Sequence, residues 1–174
     1  MKDNIHYQSL WQSKKTTTRF LAVQGTYAMT FNNYTINDLD NLIDYLYEMK
    51  EVLNLMYIDD QLLLKIISTM LIAFNNINSN IAGFLNEKWS IDRINLISLS
   101  IIKTAICELM CSKTDKIIII NEYVNIASQI LERTEVNFIN AILNQAKLIE
   151  RPLNSDVINF QIEKSESHTI LNNS

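Results

Sequence analysis

Little in this chain supports tight turns. Its 174 residues include two glycines and one proline. Sheet proteins rich in tight turns draw on both residues for their special backbone angles, so the scarcity favours long helices with few connections. Two cysteines, Cys107 and Cys111, are too few for a secreted disulfide scaffold. With only Gly25 and Gly83, a glycine-rich phosphate loop is excluded. The two histidines, His6 and His168, lie near opposite ends, which leaves no credible Ser/His/Asp or Cys/His arrangement and no closed zinc set around the cysteine pair. Cys107 and Cys111 are expected to be buried thiols acting as small apolar groups. No catalytic residue, cofactor or metal is expected.

Cationic excess is also missing. The formal net charge is -4 and the isoelectric point about 5.2. A generic polybasic nucleic-acid binder takes its affinity from neutralising phosphates, so any such role here must use a local patch or a partner. The first 13 residues contain charges and no apolar run, which argues against a signal peptide. The longest apolar region, Leu96 to Met110, is interrupted by Ser98, Ser100, Lys103 and Glu108 and falls short of a membrane span. A cytoplasmic protein with no membrane role is the expectation.

What is present is helical periodicity. A first helix is predicted from Thr16–Thr18, with Phe20, Val23, Gln24, Tyr27, Ala28 and Phe31 at helical spacing and Asn32 and Asn33 ending it. Asn37 or Asp38 caps a second, with Leu39, Leu42, Ile43, Leu46 and Leu53 on one side. Asp59 and Asp60 open a third, whose stripe Leu62, Leu63, Ile66, Met70, Phe74, Ile77 and Ile81 is the clearest in the chain, with a bend expected between Asn75 and Asn80. Trp89 is expected to plug a core, and Ser90 to cap a short turn. The fourth helix, about Asn95 to Cys111, is apolar on most faces and should be central. Ile117 to Ile120 favour a strand locally, but no partner strand is evident, and a helix capped at Thr114 or Asp115 is predicted. The last helix runs from about Glu135 to Glu150, ended by Arg151 and Pro152. The fold expected is all-α, two packed three-helix sub-bundles: a flexible arm at 1–13, one helical domain at 14–152, and a disordered tail at 153–174.

Three segments resemble the NusB family. Arg19-Phe20-Leu21-Ala22-Val23-Gln24-Gly25-Thr26-Tyr27 is similar to the family's opening helix. Trp89-Ser90-Ile91-Asp92-Arg93, followed by Ile101-Ile102-Lys103-Thr104-Ala105-Ile106-Cys107-Glu108-Leu109, resembles its Trp, short connection and Glu-Leu helix. Ile120-Asn121-Glu122-Tyr123-Val124-Asn125-Ile126-Ala127, with Phe138-Ile139-Asn140-Ala141-Ile142-Leu143, resembles its last two helices. The order and spacing hold over about residues 14–150. The chain departs from the family pattern where Thr16, Thr17 and Thr18 replace arginines, and at Thr26, Lys103 and Ala141.

The resemblance implies a transcription antitermination factor. Such a protein pairs with the ribosomal protein NusE, binds the single-stranded boxA element of nascent ribosomal RNA, joins the RNA polymerase antitermination complex and assists ribosome assembly. It implies RNA contact at Lys14, Lys15 and Arg19, where a helix start also favours an anion. It also implies stacking of a base on Phe138, flanked by Thr134 and Asn137. The NusE surface is expected on the third and fourth helices. Some relatives form homodimers that hide the RNA surface, and the sequence leaves that state open. Glu122 is expected in or near a first helical turn, Asn121 and Asn140 in structural roles, and Asp59 and Asp60 as helix caps. Two rivals remain: a helical protein-interaction module with weak or lost RNA binding, and a module like the one preceding the catalytic domain of some rRNA methyltransferases.

Overall fold

The computed structural model describes residues 13–85 and 90–150. The arm at 1–12, Trp89 and the tail from 151 onward lie outside the described residues. Among the described residues six α-helices follow in order: α1 (Lys14–Met29), α2 (Leu39–Val52), α3 (Asp60–Phe84), α4 (Leu96–Cys111), α5 (Lys116–Ile130) and α6 (Arg133–Ala146). Short 3-10 turns at Ile36–Asp38 and Ile91–Arg93 precede α2 and α4, and the described residues contain no strand. Helices α1–α3 pack on one another as one sub-bundle and α4–α6 as a second. The two are joined chiefly by α4, which lies against α1, α3, α5 and α6.

Three of the six helix starts are set by short polar side chains accepting from orphan backbone N–H groups. Asp59 accepts from Leu62 N–H at 3.0 Å, and Asn95 from Ile97 N–H at 2.9 Å. Asp115 accepts from Ile117 N–H at 2.8 Å, which turns the four-isoleucine run into helix. Packing then divides that run: Ile119 and Ile120 are buried, while Ile117 and Ile118 are 56% and 53% exposed. Before α2, Thr35 and Asp38 form a reciprocal capping box. The 3-10 turn of Ile91–Arg93 has no side-chain cap from Ser90.

α4 is buried along nearly its whole length, from Ser98 through Cys111. Two of its buried hydroxyls are satisfied by the helix itself, Ser100 donating to the Leu96 carbonyl and Thr104 to that of Ser100. The Cys107 thiol donates to the Ile66 carbonyl of α3 at 3.3 Å, and burial pushes its pKa well above the ordinary thiol value. α3 is long and apolar enough to cross a membrane by length and composition. Its stripe Leu63, Ile66, Met70, Ile77 and Ile81 is buried against neighbouring helices, as a core helix requires. It runs unbroken as α-helix through Asn75–Asn80.

α1 departs from its expected face. It begins at Lys14, two residues before the predicted start, and Thr17 and Thr18 are buried inside it rather than capping it. Thr18 donates to the Lys14 carbonyl and accepts from Asp59 N–H at 2.7 Å, so it ties α1 to the start of α3. The inward face carries Thr18, Leu21, Ala22, Gly25 and Met29. Phe31 is 61% exposed and Tyr27 36%, their rings edge-to-face at 5.2 Å. The expected stripe selected the large apolar residues; the true face also uses small and polar ones, because α1 must approach two helices closely. Gly25 shows how closely: a Cβ there would sit 2.8 Å from Ile67 Cδ1 and 3.1 Å from Leu46 Cδ1. Gly83 has nothing within 4 Å.

These two glycines separate packing from propensity. Gly25→Ala should destabilise the protein by about 1–3 kcal/mol through overpacking. Gly83→Ala should be neutral or stabilising by up to about 1 kcal/mol through helix propensity. Urea unfolding followed by circular dichroism checks both, and equal midpoints for the two variants would contradict this account.

Candidate nucleic-acid interface

Arg19 is where the structure departs most from the sequence reading. It was expected to meet a phosphate, but its side chain is 3% exposed and lies inside the protein. Its Nε donates to both Glu108 carboxylate oxygens at 2.9 and 3.2 Å, and Nη2 donates to Oε1 at 2.7 Å. Nη1 donates to Glu122 at 3.3 Å. Tyr123 donates its hydroxyl proton to Glu108 at 2.8 Å, and Thr16 donates to Glu122 at 2.6 Å. Burial alone would lower the Arg19 pKa, but the hydrogen bond and charge of Glu108 outweigh it, so the guanidinium is held charged. The Tyr123 phenol is pushed well above its ordinary value by burial and then by Glu108. Glu122 stands in the second turn of α5, next to the first, and its carboxylate closes this network.

The network draws on all three family-like segments: Arg19 from the first, Glu108 from the second, Glu122 and Tyr123 from the third. It fastens α1 to α4 and α5, and so locates the start of α1. Lys14 and Lys15 are exposed there. Ser13 precedes them with no side-chain hydrogen bond to the helix start.

Phe138 lies on α6, half-buried against the core, with Thr134 and Asn137 exposed one turn or less away. Glu135 accepts from Ser98 at 3.3 Å, which sets the first turn of α6 level with the start of α4. Ser98 and Glu108 are ten residues apart on α4, about 15 Å at the helical rise. Short connections reverse the chain twice between α4 and α6, so α6 runs in the same direction as α4. Phe138 therefore sits about 10 Å along the bundle axis from the level of Arg19. Lys14 and Lys15 lie further from the ring still, because α1 runs antiparallel to α4 and its start points away from the first turn of α6. Glu132 immediately precedes α6 and its first turn carries Arg133 and Glu135, so the local charge is not attractive to phosphate.

Lys103 is a second buried cation. Its side chain is 6% exposed on α4, its ammonium lies 4.5 Å from the Phe74 ring centre, and burial lowers its pKa. Asn140 faces solvent and accepts from Asn144 one turn on, rather than joining a helix end. α4 offers a partner only Leu96 and Ile97, 41% and 40% exposed, which narrows the expected two-helix partner surface largely to α3. The residues that sequence reading missed are Glu108, Tyr123 and Thr16. A signal existed: a glutamate within an otherwise apolar helix needs a buried cation, and Arg19 follows a threonine run with no compensating charge nearby.

This geometry defines a class: a small all-α protein of two three-helix sub-bundles, locked by an internal arginine–glutamate pair. Comparison with known proteins narrows the class to one family. The sequence model of the NusB family matches residues 16–147. The transcription antitermination protein NusB of Rickettsia typhi is 28% identical over 144 residues, covering 76% of this chain and 90% of that protein. The protein of the same name from Natranaerobius thermophilus is 29% identical over 132 residues, covering 75% and 92%. A solved structure of T. maritima NusB shares the fold with a TM-score of 0.66 at 19% identity, covering 80% of this chain and 94% of that one. The chain belongs to the NusB family.

The lock can be tested without any ligand. Removing one member of a buried ion pair leaves an uncompensated charge, typically about 3–5 kcal/mol of destabilisation. Arg19→Met is expected to fall in that range, and Arg19→Met combined with Glu108→Leu should recover most of the loss. Additive losses in the double variant, read from denaturant midpoints, would show that the pair does not act as a unit.

Proposed function

We propose that this protein is a transcription antitermination factor that binds the boxA element of nascent ribosomal RNA together with the ribosomal protein NusE. The observation that carries the reading is the family match across residues 16–147, supported by relatives named transcription antitermination protein NusB. In this reading the protein is a cytoplasmic binding module, not an enzyme, and it acts within the antitermination complex of RNA polymerase.

The mechanism divides labour among the residues named above. Lys14 and Lys15, exposed at an uncapped helix start, meet the phosphate backbone. Arg19 serves from behind, holding that start against α4 and α5. Phe138 offers the exposed part of its ring to a base, and Thr134 and Asn137 reach sugar or base edges. Lys14 and Lys15 lie four and five residues beyond Arg19 on the side away from Phe138, about 17 Å from it along the axis, a span that suits a strand of several nucleotides lying along the bundle rather than a single nucleotide. Two exposed lysines on a protein of net charge -4 give a weak electrostatic hold. High affinity therefore requires NusE, which docks on the exposed face of α3 and the Leu96–Ile97 corner and completes a composite groove.

Fluorescence anisotropy with a boxA RNA, with and without NusE, tests this. Binding alone should be feeble and rise steeply when NusE is added; no rise would count against the mechanism. Phe138→Ala should cost about 1–3 kcal/mol of RNA affinity if the ring stacks a base. Lys14→Gln with Lys15→Gln should shallow the salt dependence by about 0.7 per lost phosphate contact. RNA binding unmoved by all three substitutions would favour the rival reading, a NusB-like protein-interaction module without RNA contact.

A further inference from the structure

The connection between α4 and α5 and the end of α6 border a shallow, open cleft of about 550 Å³ lined by Lys113, Asp115, Lys116, Ile117 and Lys147. Three of its five lining residues are lysines, in a chain whose acids outnumber its lysines and arginines by four. The lysines differ in duty. Lys116 Nζ donates to the carbonyls of Lys147 at 2.7 Å and Ile149 at 2.6 Å, so it closes the frayed end of α6 while keeping its charge in the cleft. Lys113 and Lys147 make no side-chain hydrogen bond or ion pair among the described residues. The one acid, Asp115, accepts from Ile117 N–H. The cleft wall thus carries three positive charges against one negative.

Its position relative to Lys14 and Lys15 follows from the register of α1 on α4. The Thr26 and Thr104 hydroxyls lie 2.8 Å apart and Arg19 meets Glu108 at 2.7 Å, so α1 runs antiparallel to α4. Moving back along α1 from Arg19 to Lys14 therefore moves forward along α4 from Glu108 towards Lys113. The Thr16–Glu122 hydrogen bond lays the start of α1 on one side of α5, while the Lys116 bonds lay the end of α6 on another. The first turn of α5 separates the two groups of lysines, and it presents Ile117 and Ile118, more than half exposed, between them.

We infer that Lys113, Lys116 and Lys147 form a second phosphate-binding station, which extends the single-stranded RNA track from Lys14 and Lys15 over the first turn of α5, away from Phe138. This rests on the RNA-binding reading above and adds a direction and a length to it. Ammonium groups flank the backbone on both sides of the turn. Ile117 and Ile118 supply the apolar strip on which sugars or base edges rest. Because the contacts are to phosphates, the station positions RNA without reading its sequence.

Lys113→Gln with Lys147→Gln tests the station and spares Lys116, whose loss would disturb the end of α6. Anisotropy titrations in the presence of NusE should compare a short boxA RNA with one lengthened by several nucleotides on each side, over a range of salt. Wild-type protein should gain affinity with the longer RNA. The double variant should lose that gain, bind the long RNA about tenfold more weakly near 0.1 M salt, and show a salt slope shallower by about 1.4. Its thermal unfolding should match wild type. Wild-type binding of the long RNA with an unchanged slope in the double variant would overturn the station and leave the RNA reading standing. Absence of RNA binding by wild type with NusE would overturn both. Loss on the short RNA equal to that on the long would show that the cleft belongs to the primary site, and would overturn the extended track.

Discussion

One buried charge pair governs the arrangement of this molecule. Arg19 and Glu108 sit where water is excluded, and each would be intolerable there alone. Their geometry uses three hydrogen bonds between the two side chains, with Tyr123 and Glu122 occupying further donor and acceptor positions. A hydrophobic contact tolerates sliding by a fraction of a turn; a forked guanidinium–carboxylate pair does not. The pair thus specifies how α1 lies on α4 and α5, and the exposed lysines at the start of α1 inherit that placement.

Inward and outward residues of the same segment are consequently divided. Arg19, Thr17 and Thr18 point inward and hold α1; Lys14 and Lys15 point outward and are free to meet an anion. The threonines that stand where the family pattern has arginine are part of the packing here. Thr18 in particular spans from the Lys14 carbonyl to the first turn of α3. The reduced charge of this segment leaves Lys14 and Lys15 as its exposed cations. α4 plays the complementary role: buried from Ser98 onward, it contributes almost no surface of its own but sets the level of every neighbour.

Periodicity, capping residues and the shortage of glycine and proline were enough to establish six helices and their approximate limits. Local chemistry decides such features: an aspartate or asparagine accepting from a helix start acts within three residues. The central place of α4 was legible too, because a helix apolar on most faces has no other stable location. Three segments sufficed to suggest the family. The inward face of α1 was not legible, since large apolar residues were the guide and the real face is built on Gly25, Ala22 and buried threonines. Nor was the fate of Arg19, because a lone arginine beside two lysines reads as one basic patch until its distant partners are known.

Glu108 is 89 positions from Arg19 and Glu122 is 103. Nothing in either segment alone says that they meet. The sequence by itself determined which stretches become helices and which stretches resemble a known family, because those depend on spacing within a turn or two. Only the tertiary structure decided which charges are spent inside and which face solvent, and which distant lysines share one end of the bundle. Side-chain exposure is a property of packed neighbours, and the neighbours here come from opposite halves of the chain.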